Sequence, residues 1–287
     1  MKHILLPTDF SENSWNGIAY AMQLFKEEEC TFYLYHAYTP IIYHLEYVLV
    51  NPEQFGIVDT IKNTAEENLN QLVLRISTTF KNNKKHNFKT YAKFDAFISG
   101  IQAFVQKYPI DLIVVGTKGA TGAKEVLFGS NTVQLFQKVK CPILAIPSAF
   151  TYEAPQEILF PTDLEVSYKN SKLSFLKNLA VSKHARVNAM HVSTGNDLTE
   201  IQENNKAQLE ILFQETAFLF HAVKSMNISD AVNEFQLKYK INLLAMINNK
   251  HSFFESLFFK NTINQIGFHL TIPFLVIPSM ATDLDNK

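Results

Sequence analysis

Residues 3–9 read HILLPTD, and residues 157–163 read EILFPTD. Each is an apolar run stopped by Pro-Thr-Asp, the pattern of a buried strand that ends at a turn. Working outward, residues 141–148 (CPILAIPS) resemble residues 272–279 (IPFLVIPS), and residues 111–115 (DLIVV) resemble residues 242–246 (NLLAM). Separated pairs that recur in the same order are the mark of a duplication. Residue 3 corresponds to residue 157, whereas residue 111 corresponds to residue 242, so the second copy is shorter and its deletion lies in the middle. Copies of this length are domains, not solenoid units. They span residues 1–148 and 156–280. SAFTYEAPQ (148–156) joins them; it lacks periodicity, carries Pro155, and is short enough that the copies are expected to pack together.

Within the first copy, strand and helix patterns alternate. Residues 3–7 are an apolar strand. Residues 12–26 place Trp15, Ile18, Ala19, Met22 and Phe25 at helical spacing. TFYLYHAY (31–38) is β-branched and aromatic, hence a strand. Residues 57–80 space Val58, Ile61, Ala65, Leu69, Leu72 and Ile76 as one face of a long helix. A strand over 88–95, a helix over 99–108, a mostly apolar strand over 111–115, a helix over 130–138 and a strand over 142–147 complete the copy. This alternation predicts an α/β fold with a parallel sheet, each crossover right-handed. Residues 39–56 (TPIIYHLEYVLVNPEQFG) fit no element. They read either as a surface or oligomer-contact segment packed by its own side chains, or as a lid over a ligand.

Composition excludes several classes. The 287 residues carry 26 Lys+Arg and 27 Asp+Glu, a net charge of −1. That is no electrostatic footprint for nucleic acid or for a membrane surface. With 47% hydrophobic and 18% charged residues, the chain is expected to fold. No apolar run approaches the ~18 residues of a spanning helix. MKHILLPTDF is too short for a signal-peptide core and reads as a first strand. Cys30 and Cys141 form neither a CxxC nor a zinc pattern, so the expected compartment is the reducing cytosol. No metal site is expected, because the nine histidines lack ligand spacings such as HxxxH or HExxH.

Four of the nine glycines, Gly116, Gly119, Gly122 and Gly129, crowd the loop GTKGATGAKEVLFGSNT (116–132). Open parallel sheets bind ligands outside the carboxyl ends of strands, where strand order reverses. Pro7-Thr8-Asp9 ends the first strand and this loop follows the fourth. If those strands are neighbours, both face one crevice. Glycines let backbone N–H groups form an anion nest, and a helix opening at Gly129-Ser130 would favour phosphate. Ser130 and Thr132 offer hydroxyls; Lys118 and Lys124 offer charge. The loop is neither a Walker motif nor a GxGxxG fingerprint. On the residues alone, a glycine-rich turn needed to enter a helix remains the alternative.

The spacing Gly116-x2-Gly119-x9-Gly129-Ser130 is similar to the G-x2-G-x9-G-[S/T] motif of the universal stress protein family, in its ATP-binding branch. HILLPTDFS and EILFPTDLE resemble that family's first strand, and CPILAIP its last. The resemblance implies two tandem Rossmann-like domains, each a five-stranded parallel sheet of order 3-2-1-4-5 flanked by helices. It implies ATP, with Mg²⁺ bound through its phosphates, in the first copy. Pro7, Thr8 and Asp9 then match the nucleoside side. Ala37, after His36, matches a backbone contact to adenine. Gly116, Thr117, Lys118, Gly119 and Gly122 match the ribose and phosphate loop. Gly129, Ser130, Asn131 and Thr132 match the far phosphate contacts. Lys118 stands where the family often has Arg or His.

The second copy departs from that pattern. Ile247, Lys250, Lys260 and Asn261 take the places of Gly116, Gly119, Gly129 and Ser130, and Phe253 and Phe254 those of Gly122 and Ala123. Pro161, Thr162 and Asp163 survive. The expectation is one competent site, with the second copy's aromatic residues filling the vacated groove or an interface. The family's habit of pairing last strands implies an intrachain pseudo-dimer matching 142–146 with 273–277, and whole chains could pair further. His36 and His191 occupy matching strand positions, which favours a structural role over catalysis. No catalytic residue is expected. The function expected is a cytosolic, nucleotide-dependent sensor or regulator; the alternatives are a slow ATP-hydrolysing enzyme and an interaction scaffold that binds no nucleotide.

Overall fold

The computed structural model describes residues 1–38, 57–117, 129–148, 150–168, 173–193, 197–224, 227–249 and 271–279. The segment 39–56 and residues Lys118, Gly119, Gly122, Phe253, Phe254, Lys250, Lys260 and Asn261 lie outside them. The chain forms two compact units.

The first unit comprises Met1–Thr117 and Ser130–Cys141. Its strands are β1 (Lys2–Pro7), β2 (Cys30–Tyr38), β3 (His86–Phe94) and β4 (Leu112–Thr117), in the spatial order β3-β2-β1-β4 and all parallel. Its helices are α1 (Glu12–Leu24), α2 (Ile57–Phe80), α3 (Phe97–Lys107) and α4 (Ser130–Lys138). Helix α1 starts where Ser11 accepts a bond from the Ser14 amide, which satisfies an orphan N–H of its first turn. The central strands β1 and β4 are buried on both faces, with Ile4, Leu5, Leu6, Leu112 and Ile113 fully enclosed, hence their unbroken apolar runs. Strand β3 borders β2 alone among the described strands; none of its residues is fully buried and it carries Lys89 and Lys93, charges that discourage further pairing.

The second unit is built on Pro142–Lys287. It contains β5 (Ile143–Pro147), β6 (Glu157–Pro161), α5 (Ser174–Lys183), β7 (Arg186–Ser193), α6 (Glu200–Leu212), β8 (Ala217–Lys224), α7 (Ile228–Lys238), β9 (Leu243–Asn248) and β10 (Phe274–Pro278). The strand order is β5-β10-β9-β6-β7-β8. Strands β6 to β10 are parallel and repeat the order 3-2-1-4-5 of a complete copy. Strand β5 runs antiparallel to β10, with Ala145 opposite Phe274 and Ile143 opposite Val276. These are the last strands of the two sequence copies, in the register that places 142–146 against 273–277. Among the described residues, no helix is long and apolar enough to cross a membrane.

Candidate functional site

Strands β1 and β4 are parallel neighbours, with Ile4 opposite Leu112 and Leu5 opposite Ile113. Their carboxyl ends therefore bring Pro7, Thr8 and Asp9 to the same edge of the sheet as Gly116 and Thr117. Strand β2 completes this corner. The Thr8 amide donates to the Tyr35 carbonyl at 2.9 Å. The His36 ring donates from Nδ1 to the Thr8 carbonyl at 2.8 Å. The half-buried Ala37 follows, paired with Lys93 across β3. Thr8 itself is buried, and its Oγ1 accepts from the Phe10 amide and meets Ser14 Oγ, each at 3.0 Å. Phe10 adopts a left-handed φ of 61°, which turns its ring onto His36 at 4.5 Å.

Asp9 faces solvent. Its Oδ1 accepts from the Ser11 amide at 3.1 Å and the Ser11 hydroxyl at 2.5 Å. Partial burial opposes its ionisation, but these bonds outweigh burial and hold the carboxyl below its ordinary value. Asp9 is thus a charged, outward-facing acceptor fixed by the start of α1.

Gly116 carries a packing role that its place in the loop did not reveal. A Cβ there would lie 1.7 Å from the Asn13 carbonyl oxygen, and a Cβ on Gly17 would lie 2.6 Å from the Gly116 nitrogen. The two glycines let α1 settle directly on the end of β4. Thr117 is buried at 1% exposure, and Thr132 is buried in α4. Ser130 and Asn131 are exposed at the start of α4. Among the described residues, nothing lies within 4 Å of a Cβ added at Gly129.

A family model described as the universal stress protein family matches residues 1–147. The chain belongs to the universal stress protein family. A universal stress protein of Methanocaldococcus jannaschii is 26% identical over 154 residues, half of this chain and 81% of the relative. The structure of a universal stress protein from Archaeoglobus fulgidus DSM 4304 has a TM-score of 0.70 at 16% identity, covering 96% of this chain and 98% of that one. A protein of unknown function from Pseudomonas aeruginosa PAO1 has a TM-score of 0.61 at 13% identity, covering 97% and 93%. At such identities the likeness shows the fold, two Rossmann-like copies in tandem.

In this universal stress protein the second Pro-Thr-Asp corner reuses the same frame. The Thr162 amide donates to the Met190 carbonyl at 2.9 Å, His191 Nδ1 donates to the Thr162 carbonyl at 3.0 Å, and the Leu164 amide donates to Thr162 Oγ1 at 3.0 Å. The two histidines thus make one backbone-anchoring bond each. Leu164 repeats the left-handed φ of 61°. Six residues beyond the threonine, however, stands Tyr168 in place of Ser14. Its hydroxyl meets Thr162 Oγ1 at 2.5 Å, its ring is 2% exposed, and burial pushes its pKa well up.

Helix α6 then closes the second corner. Asn205 is buried and donates to the Leu164 carbonyl at 2.8 Å; Gln208 Oε1 accepts from the Tyr168 amide at 2.8 Å; Gln202 donates to the Asp163 carbonyl at 3.1 Å. Residues 68–72 and 205–209 share the pattern N-x-x-Q-L, so Asn68 and Gln71 of α2 are the counterparts of Asn205 and Gln208. In the sequence only that shared pattern marks these residues out. In the first unit they line an open cleft of about 360 Å³ with Thr8, Ser11, Ser14 and Trp15.

Proposed function

We propose that this protein binds ATP at the first Pro-Thr-Asp corner and acts in the cytosol as a nucleotide-dependent sensor or regulator, not as a dedicated enzyme. The observation that carries the reading is the parallel pairing of β1 with β4, which gathers Thr8, Asp9 and Gly116 at one sheet end, where open α/β sheets bind ligands. The Gly116-x2-Gly119-x9-Gly129-Ser130 spacing supports it, as does the exposed Ser130 beside Gly129, where no described atom lies within 4 Å of an added Cβ. Asp9 and the Ala37 backbone would meet the nucleoside, Thr117, Lys118, Gly119 and Gly122 the ribose and inner phosphates, and Gly129, Ser130, Asn131 and Thr132 the outer phosphates. Mg²⁺ would arrive on the phosphates, since among the described residues no group of three His, Cys, Asp or Glu could hold a metal. The second copy lacks the motif glycines and binds no triphosphate. The antiparallel β5–β10 ladder supports an intrachain pseudo-dimer, and whole chains pair further.

Equilibrium dialysis of the full chain with labelled ATP tests this. One equivalent is expected, abolished by Gly129→Lys with the unfolding midpoint unchanged. No binding by the parent, or two equivalents, overturns the reading. Phosphate release no faster than the buffer control is expected over the same incubation; multiple turnover would make the protein an enzyme.

A further inference from the structure

Strands β3 and β8 hold the same place in their copies, yet only one is defended against further pairing. Tyr33 on β2 stands opposite Lys89, and Asn188 on β7 stands opposite Leu219. Tyr33 and Asn188 are themselves equivalent, because Pro7 faces Tyr35 and Pro161 faces Met190. Leu219 therefore takes the place of Lys89, Val223 that of Lys93 and Phe220 that of Thr90. Charged side chains on an edge strand oppose the approach of another strand. Strand β8 carries neither lysine.

What remains is an edge suited to pairing. From Ala217 to Val223 there is no Lys, Arg, Asp, Glu, Pro or Gly. The strand follows β7 in unbroken register over all eight residues. His221 adds no charge at neutral pH, because burial, with Lys238 nearby, holds it below its ordinary value. Leu219 is 45% exposed, and among the described strands β8 borders β7 alone. A flat, uncharged edge of this kind is a template for one more strand.

The flanks indicate which strand. Glu215 precedes β8 and Lys224 ends it, and both are exposed. Antiparallel pairing with β8 of a second chain, centred on Phe220, sets Leu219 opposite His221 and Phe218 opposite Ala222. It also brings Glu215 of each chain to Lys224 of the other. Parallel pairing would set Lys224 beside Lys224. The strand is thus complementary in charge to its own reverse, as a two-fold contact requires. The protein already joins equivalent strands in this manner, in the antiparallel β5–β10 ladder. We propose that two copies of this chain associate through β8, antiparallel about a two-fold axis. The proposal rests on the reading that whole chains pair, and not on nucleotide binding.

Sedimentation equilibrium of the full chain tests it. A contact made by one strand is small, so a dimer is expected at about 100 µM that dissociates on dilution to about 1 µM. Leu219→Lys combined with Val223→Lys, which copies the β3 pattern, should remove the dimer while the far-UV spectrum stays that of the parent. Leu237→Lys, at an apolar position of α7 that is 82% exposed, should leave the dimer unchanged. Lys224→Glu should weaken association about tenfold, and adding Glu215→Lys should restore it. A parent that is monomeric at the higher concentration overturns both this proposal and the pairing of whole chains. A dimer undiminished in the double-lysine variant overturns this proposal alone, since the chains then meet elsewhere. Loss of the dimer in Leu237→Lys, or no rescue by Glu215→Lys, also overturns it. The charge exchange decides the matter even where the double-lysine variant fails to fold.

Discussion

Thr8 and Thr162 hold their corners by matching bonds, yet one corner is open and the other is sealed. Each threonine takes the amide two residues on, each is braced by a histidine from the neighbouring strand, and each is followed by a residue with a φ of 61°. The difference is the side chain six residues later, Ser14 against Tyr168, and the delayed start of α5. A buried tyrosine adds an aromatic ring to the core at the second strand end. The second copy therefore differs in two ways, in the absence of the motif glycines and in a buried tyrosine at the corner, while both copies share the frame that builds the sheet corner.

The largest way to break this comparison is Tyr168→Ala. It removes a buried ring and one of the two bonds at the Thr162 hydroxyl, so urea unfolding should report a loss of about 3–5 kcal/mol, whereas Ser14→Ala should cost about 1 kcal/mol. Equal costs would mean that the two side chains do the same work. Next comes Gly116→Ala. The new methyl would meet a backbone carbonyl that cannot step aside, and a loss of about 3 kcal/mol is expected. Gly129→Ala, with no described atom within 4 Å of the new methyl, should stay within about 0.5 kcal/mol of the parent. Asn205→Ala sharpens the helix comparison. It leaves a buried carbonyl unpaired and should cost about 1–3 kcal/mol, while Asn68→Ala should change the stability by less than about 0.5 kcal/mol.

The smallest effect belongs to Asp9. Its folded pKa lies below the ordinary 3.8, so the folded state binds the proton less readily than the unfolded chain does. The contribution is full above that ordinary value and disappears as pH falls through the folded one. Stability of the parent minus that of Asp9→Asn, followed by urea unfolding from neutral pH into acid, should therefore shrink towards its low-pH floor. A difference that grows with acid would reverse the assignment. Because the group is exposed, solvent screening keeps the effect small.

The elements were legible because their periods are strong. The helix expected at 57–80 is Ile57–Phe80, and the strand expected at 142–147 is Ile143–Pro147. Boundaries moved by a residue or two where a cap decided them, as at Leu24, where the helix ends before Phe25. Strand ends were enough to place Thr8, Asp9 and Gly116 at one end of the sheet, but the packing reason for Gly116 was hidden, because the Asn13 carbonyl that forbids a side chain is remote in sequence. Asn68 and Gln71 stayed hidden because polar residues on an amphipathic helix look like an ordinary solvated face.

The sequence by itself determined the duplication, the alternation of strand and helix, and the loss of the second glycine loop, since each is written as local pattern or composition. Tertiary structure decided which strands became neighbours, which glycine exists for packing, and which of two near-identical corners retains space. Those outcomes depend on how much volume a side chain fills against residues far along the chain, and a local pattern carries no record of that volume.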